Sequence, residues 1–151
     1  MVAFNLNGND VDIDVPEGTT LLEMLTHDAG VAGPKFGCGL SQCGACTVLI
    51  DGEPVATCET EATAATGRSV ETLEALHVDG RAGPLQQAFI DEQAVQCGYC
   101  IPGMIMAAQA LLDRNPNPAE SDVKTALKDN LCRCGTHARI IRAVLRAAEG
   151  A

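Results

Sequence analysis

Eight cysteines stand in this 151-residue chain, and they fall into two groups of four. Cys38, Cys43 and Cys46 share the short stretch "FGCGLSQCGAC", and Cys58 follows shortly after it. Further along, Cys97 and Cys100 form a C-x-x-C pair and Cys132 and Cys134 a C-x-C pair. Thiolates grouped in this way bind metal, and four of them close a site around zinc or an iron-sulfur cluster. The competing use is a disulfide framework, which belongs to oxidising compartments. The N-terminus "MVAFNLNGNDVDIDV" alternates instead of forming a charged and then apolar leader, so the expectation is a cytoplasmic chain with its thiols free for metal or redox chemistry.

The first group has the spacing C-x4-C-x2-C followed by a distant fourth cysteine, which is the plant-type [2Fe-2S] ferredoxin arrangement. Three ligands on one loop must wrap a compact anionic cluster, which requires tight turns and amide N–H groups close to sulfur. Gly37, Gly39 and Gly44 meet both needs. Zinc sites more often space their ligands as two close pairs, which fits this loop poorly.

In the second group each pair lies just ahead of a predicted helix. Pro102 can open one helix and Thr136 can cap another. Residues two apart point to opposite sides of a helix, so Cys132 and Cys134 converge only if the chain leaves helical geometry, as Gly135 allows. The positive end of each helix favours the charge of a four-thiolate site. Spacing leaves a second iron-sulfur cluster and zinc both open here.

The elements that must hold these thiols divide near "HVDGRAGP", residues 77 to 84. Ahead of it, Val2, Phe4 and Leu6 alternate, Asn7-Gly8 turns, and Val11, Ile13 and Val15 alternate again, a β-hairpin pattern. Thr20 precedes a short helix that ends near Gly30, and a second hairpin runs from Thr47 through Asp51-Gly52 to Cys58. A strand or short helix is expected around residues 70 to 76. Beyond the division the pattern is helical, with starts at Pro84, Pro102, a Ser121 cap and a Thr136 cap. Phe89 and Ile90, then Ile105, Ala108, Leu111 and Leu112, then Val123, Ala126, Leu127 and Leu131, then Ile140, Ile141, Val144, Leu145 and Ala148 are the candidate core stripes. The expected fold is α+β: a small β-rich domain over residues 1–77, then four helices over residues 78–151.

Net charge is −10, with 20 acidic and 10 basic residues and no basic block, which argues against nucleic acid and anionic membranes as partners. The stretch "CIPGMIMAAQALL" is too short to cross a bilayer, so no direct membrane insertion is expected.

Together, "FGCGLSQCGACTVLIDGEPVATC", "QCGYCIPGMIM" and "NLCRCGTHARIIRAV" resemble the small iron-sulfur subunit or domain of the molybdenum hydroxylases, the xanthine dehydrogenase and aldehyde oxidoreductase family. The resemblance covers nearly the whole chain. It implies an N-terminal β-grasp, ferredoxin-like domain and a C-terminal four-helix bundle, each with one [2Fe-2S] cluster. By motif, Cys38, Cys43, Cys46 and Cys58 would hold the cluster facing the outer acceptor, and Cys97, Cys100, Cys132 and Cys134 the one nearer molybdenum. Gln96 and Cys134 would contact the pterin of a molybdopterin cofactor held by a large partner subunit. A flavin-binding or cytochrome subunit would receive the electrons, and a signal-bearing partner could carry the folded complex out of the cytoplasm. The run Cys134-Gly135-Thr136-His137 departs from the commoner C-T-G-Y text, and Ile101 stands where a serine is frequent; both are similar to the branch of isoquinoline and nicotinate dehydrogenases and some aldehyde dehydrogenases, which points to an N-heterocycle or an aldehyde as substrate of the complex.

Two other classes compete. A free-standing ferredoxin shuttle needs only the first cysteine group, and a structural zinc module leaves the glycine-rich loop unexplained. No catalytic residue or substrate pocket is expected in the chain itself. His27, His77 and His137 read as surface, linker and loop residues, Met104 and Met106 as helix packing or partner contact, and Arg133 as a residue that orients the loop or contacts a partner or a cofactor phosphate, or else as a surface ion pair.

Overall fold

Two tight turns organise the sheet. Asn7 and Gly8 have φ of 51° and 85°, and Asp51 and Gly52 have 51° and 81°, so each turn has the left-handed central pair that joins twisted strands closely. Around the first turn β1 (Val2–Leu6) pairs antiparallel with β2 (Asn9–Ile13), and around the second β3 (Thr47–Ile50) pairs with β4 (Glu53–Ala56). Between the hairpins lies β5 (Ser69–Glu71), parallel to β1 and antiparallel to β3, giving the order β2-β1-β5-β3-β4. The computed structural model describes residues 1–150.

One face of the sheet is covered by α1 (Leu21–Glu23), which continues as a π-helical turn over Met24–Asp28. Its start is the expected one: the Glu23 amide donates to Thr20 Oγ1 at 3.2 Å, and the Thr20 amide donates to Glu23 Oε2 at 3.0 Å. Leu21, Met24 and Leu25 pack there against Val2, Phe4, Leu6, Val48, Ile50 and Val70. The 70–76 segment holds both forms foreseen for it, β5 and then a 3-10 turn over Leu73–Leu76.

Four helices follow: α2 (Pro84–Asp91), α3 (Ile101–Arg114), α4 (Glu120–Ala126) and α5 (His137–Glu149). Phe89, Met104, Ile105, Val123, Ile140 and Val144 form their common core. α3 is the pivot of the molecule. Ile101 through Ala108 are all buried, because Met104 and Ile105 face the other helices while Met106 and Ala110 pack against Leu49 of β3. This second contact also explains why all four residues of β3 are buried: Val48 and Ile50 serve one core and Leu49 the other.

Several sequence expectations shift at the helix ends. α4 begins two residues early, at Glu120, so Ser121 is inside it and the Ala119 amide is satisfied by Asp122 Oδ2 at 2.9 Å. The same helix stops at Ala126, which leaves Leu131 outside it and 59% exposed. Ile90 also faces outward, since the stripe of α2 is set by Leu85, Ala88 and Phe89. Thr136 does stand at the start of α5, but its hydroxyl does not cap the helix.

Candidate iron-sulfur sites

None of the eight cysteines is joined in a disulfide. In the first group the loop wraps its own sulfurs with amides. Cys38 Sγ accepts from the N–H of Leu40 at 3.3 Å and of Gln42 at 3.2 Å. Cys43 Sγ accepts from the Cys38 amide at 3.4 Å, and Cys58 Sγ from the Ser41 amide at 3.4 Å. Two glycines make this possible. A Cβ on Gly37 would stand 2.6 Å from Cys43 Sγ, and Gly44 has φ +71° with the Asn130 side chain pressed against it. The amides of Leu40 and Gln42 hold the Cys38 thiol down to about 7, whereas burial pushes Cys46 up. Leu22 and half-buried Ala56 shield Cys46 and Cys58 from solvent.

The second group is assembled from two separate segments. Cys97 and Cys100 precede α3, Cys100 being its capping residue, and Cys132 and Cys134 precede α5 across the turn at Gly135, whose φ is +77°. Cys97 is exposed, Cys134 half-buried, and Cys100 and Cys132 are buried. Burial, reinforced by the neighbouring Cys132 thiol, pushes Cys100 up to about 12. Burial opposes ionisation of Cys132 most strongly, but the Thr136 hydroxyl and amide together with the Cys100 thiol and the Cys134 amide outweigh it and bring that thiol to about 7. Thr136 Oγ1 is 3.2 Å from Cys132 Sγ.

Within each group the thiols influence one another as two neighbouring pairs: Cys38 with Cys43 and Cys46 with Cys58, then Cys97 with Cys134 and Cys100 with Cys132. Among the described residues no three His, Cys, Asp or Glu side chains converge on a single-ion position. Two pairs of thiols would suit the donor set of a binuclear cluster, and the amides aimed at sulfur would suit its negative charge. The residues present therefore fit the cluster that spacing implied for the first group and that the family resemblance implied for the second.

The two groups are stitched to each other by contacts that no motif announced. The Leu131 amide, one residue before Cys132, donates to the carbonyl of Cys43 at 2.9 Å. Buried Asn130 donates through Nδ2 to the Gly44 carbonyl at 3.2 Å, and Gly103 of α3 lies so close to that carbonyl that a side chain would collide with it. Tyr99, inside the C-x-x-C pair, donates its hydroxyl to the Phe36 carbonyl at 2.5 Å. The nearest sequence signal was the glycine in "CIPGM", which breaks helix propensity without a turn to justify it.

Gln96 and Cys134 line one open recess of about 290 Å³, together with Gly135, Thr136, Arg139 and Arg142. Met104 and Met106 are buried packing residues, the first of the two roles expected for them. His137 is more than a loop residue: it is exposed at the first position of α5, and its Nε2 accepts the Cys132 amide at 3.3 Å. No helix of the described residues is long and apolar enough to cross a membrane.

A mixed sheet with a cysteine loop, followed by helices that gather four more cysteines, defines an iron-sulfur protein of two parts. Residues 4–74 match the 2Fe-2S iron-sulfur cluster binding domain family, and residues 72–145 the [2Fe-2S] binding domain family. One subunit of the nicotinate dehydrogenase of Pseudomonas putida is 51% identical over 98% of this chain and 94% of its own length. The alpha subunit of isoquinoline 1-oxidoreductase from Brevundimonas diminuta is 47% identical over 100% of this chain and 99% of its own length. The crystal structure of quinoline 2-oxidoreductase from Pseudomonas putida 86 superposes with a TM-score of 0.95 at 36% identity, covering 99% of this chain and 93% of the matched one. The chain belongs to the small iron-sulfur subunits of the molybdenum hydroxylases.

Proposed function

We propose that the chain relays single electrons within a molybdenum-containing dehydrogenase, from a molybdopterin centre on a large partner subunit to a flavin, a haem or another acceptor. The division of labour follows residues 1–77 and 78–151, with Cys38, Cys43, Cys46 and Cys58 holding one [2Fe-2S] cluster and Cys97, Cys100, Cys132 and Cys134 the other. Each bound cluster would take up and release one electron.

The observation that carries this reading is the Leu131 to Cys43 hydrogen bond. It joins the backbone of a proposed ligand of one cluster to the neighbour of a proposed ligand of the other, which supports two sites lying close together. The protein's own part is to position and to tune. Amides of Cys38, Leu40, Ser41 and Gln42 favour added negative charge on the first group. Gln96 and Cys134, in their shared recess beside the second group, are the residues proposed to meet the pterin. Exposed Phe36 and Leu40 on one cysteine loop, and Val95, Tyr99 and Leu131 around the other group, are apolar surface where partner subunits would seat.

Relatives are named for nicotinate and isoquinoline, both N-heterocycles, which supports an N-heterocycle over an aldehyde as substrate of the complex. Eight cysteines grouped as metal ligands suit a reducing compartment such as the cytoplasm.

Spin-quantified electron paramagnetic resonance on the dithionite-reduced protein tests the relay. Two distinct [2Fe-2S] signals, one spin each per chain, are expected. A single signal would leave only a ferredoxin-like site, and zinc in place of signals would overturn the redox reading.

A further inference from the structure

The start of α5 contains a hydroxyl in an unusual role. Threonine at a helix N-terminus ordinarily turns its oxygen to the amides of the first turn, which lack partners within the helix. Thr136 makes no such bond. Its side chain is 9% exposed, and its Oγ1 lies 3.2 Å from Cys132 Sγ, the one side-chain hydrogen bond that the structure gives it. Once Cys132 is a metal-bound thiolate it has no proton to offer, so the hydroxyl must be the donor. The first cysteine group has a counterpart only in Ser41, whose Oγ is 3.9 Å from Cys58 Sγ, at the limit of a hydrogen bond to sulfur.

We infer that Thr136 is a positioning residue that raises the reduction potential of the second cluster by hydrogen-bonding Cys132, an inference that rests on the two-cluster reading above. The physical reason is electrostatic. Reduction adds one electron to a cluster already rich in negative charge, and a donor aimed at a sulfur stabilises the reduced form more than the oxidised one. The hydroxyl proton stays on Thr136 throughout, so only the electron moves. The geometry is also fixed from both sides. Gly135, at φ +77°, turns the chain between Cys134 and Thr136, and the Thr136 carbonyl accepts the amides of Arg139 and Ile140, which anchors the residue to α5. The His137 ring accepts the Cys132 amide, holding the cysteine against the same helix start. The potential of this cluster is therefore sensitive to one side chain, whereas the first group relies on backbone amides that only proline would remove.

The test is a potentiometric titration of the protein with both clusters, followed by the two paramagnetic signals separately. Thr136→Val keeps the shape and removes the donor. Its second-cluster midpoint should fall by about tenfold in the reduction equilibrium, which for one electron is about 59 mV. The first-cluster midpoint should stay in place, and Thr136→Ser should restore the original value. Thr136→Ala, which adds no atom, should show the same fall and serves if the valine variant does not assemble. An unmoved second midpoint with both signals present overturns the inference alone, as does an equal fall in Thr136→Ser. A wild-type chain with one signal instead sinks the two-cluster reading and this inference with it.

Discussion

The two cysteine groups reach similar chemistry by opposite routes. The first is local: three of its four thiols lie on one loop whose own amides point at the sulfurs, and the fourth follows the adjacent hairpin. The second is remote: its pairs come from segments more than thirty positions apart, and they meet because α3 and α5 pack in one helical core. A local site is specified by turn chemistry, and a remote site by packing. The lesson is that the first should survive damage to the helices far better than the second survives damage to the junction.

The strongest way to break this contrast is at Gly103, where α3 touches the Gly44 carbonyl of the first loop. Gly103→Ala forces backbone away from backbone, and a loss of about 3 kcal/mol in stability is expected from such overpacking. Chemical denaturation should record it, with the second cluster lost at lower denaturant than the first. Equal sensitivity of the two clusters would show that the loop depends on the helices as much as they depend on each other.

Removing one ligand separates the groups chemically. Cys134→Ser should abolish the paramagnetic signal of one cluster and about half of the bound iron, while the other signal persists. Cys46→Ser should do the reverse. Loss of the same signal in both variants would dismantle the assignment.

Glu74 sharpens the comparison through pH, because it ties the approach to the cysteine loop to the turn that leads toward the helices. Its carboxylate accepts the amides of Ala32 and Gly33, each at 2.8 Å, and the Thr72 hydroxyl at 2.5 Å. Burial alone would raise its pKa, but these donors outweigh burial and hold it below the ordinary 4.5. A lowered folded value means that the carboxylate stabilises the fold fully above pH 4.5, and that this share is lost as pH falls through the lower folded value. Glu74→Gln should cost about 1–3 kcal/mol at neutral pH and show a flatter decline in thermal stability on acidification. A variant with the unchanged acid limb would rule out Glu74 as the group responsible.

The smallest effect is expected at Tyr99, whose hydroxyl bridges the two cysteine segments at an exposed position. Tyr99→Phe should lose about 1 kcal/mol and leave both paramagnetic signals intact. A changed first-cluster signal would mean that the bridge shapes the loop as well as joining it.

Much of this molecule was legible in the order of its residues. The cysteine spacing, the glycines among them and the Asn7-Gly8 and Asp51-Gly52 turns report backbone geometry over a few residues, and those features stand where the sequence places them. The capping box of Thr20 and Glu23 is local in the same sense. Helix ends were less legible: Ser121 and Thr136 have the right side chains for caps, but Asp122 competes for one role and Cys132 claims the other hydroxyl. Exposed Leu131 fits a helical period that the chain does not follow, because α4 ends before it.

What only tertiary structure decided is the contact between the halves. α3 is apolar nearly all round, so periodicity could not show that one side serves the helical core and the other β3. Nor could spacing reveal that Leu131 meets Cys43, that Asn130 meets Gly44, or that Thr136 turns to sulfur. Ligand identity is written in residue type and local spacing, which the chain has before it folds. The path between the two groups, and the hydroxyl beside the second, depend on surfaces that come into being only when distant segments pack.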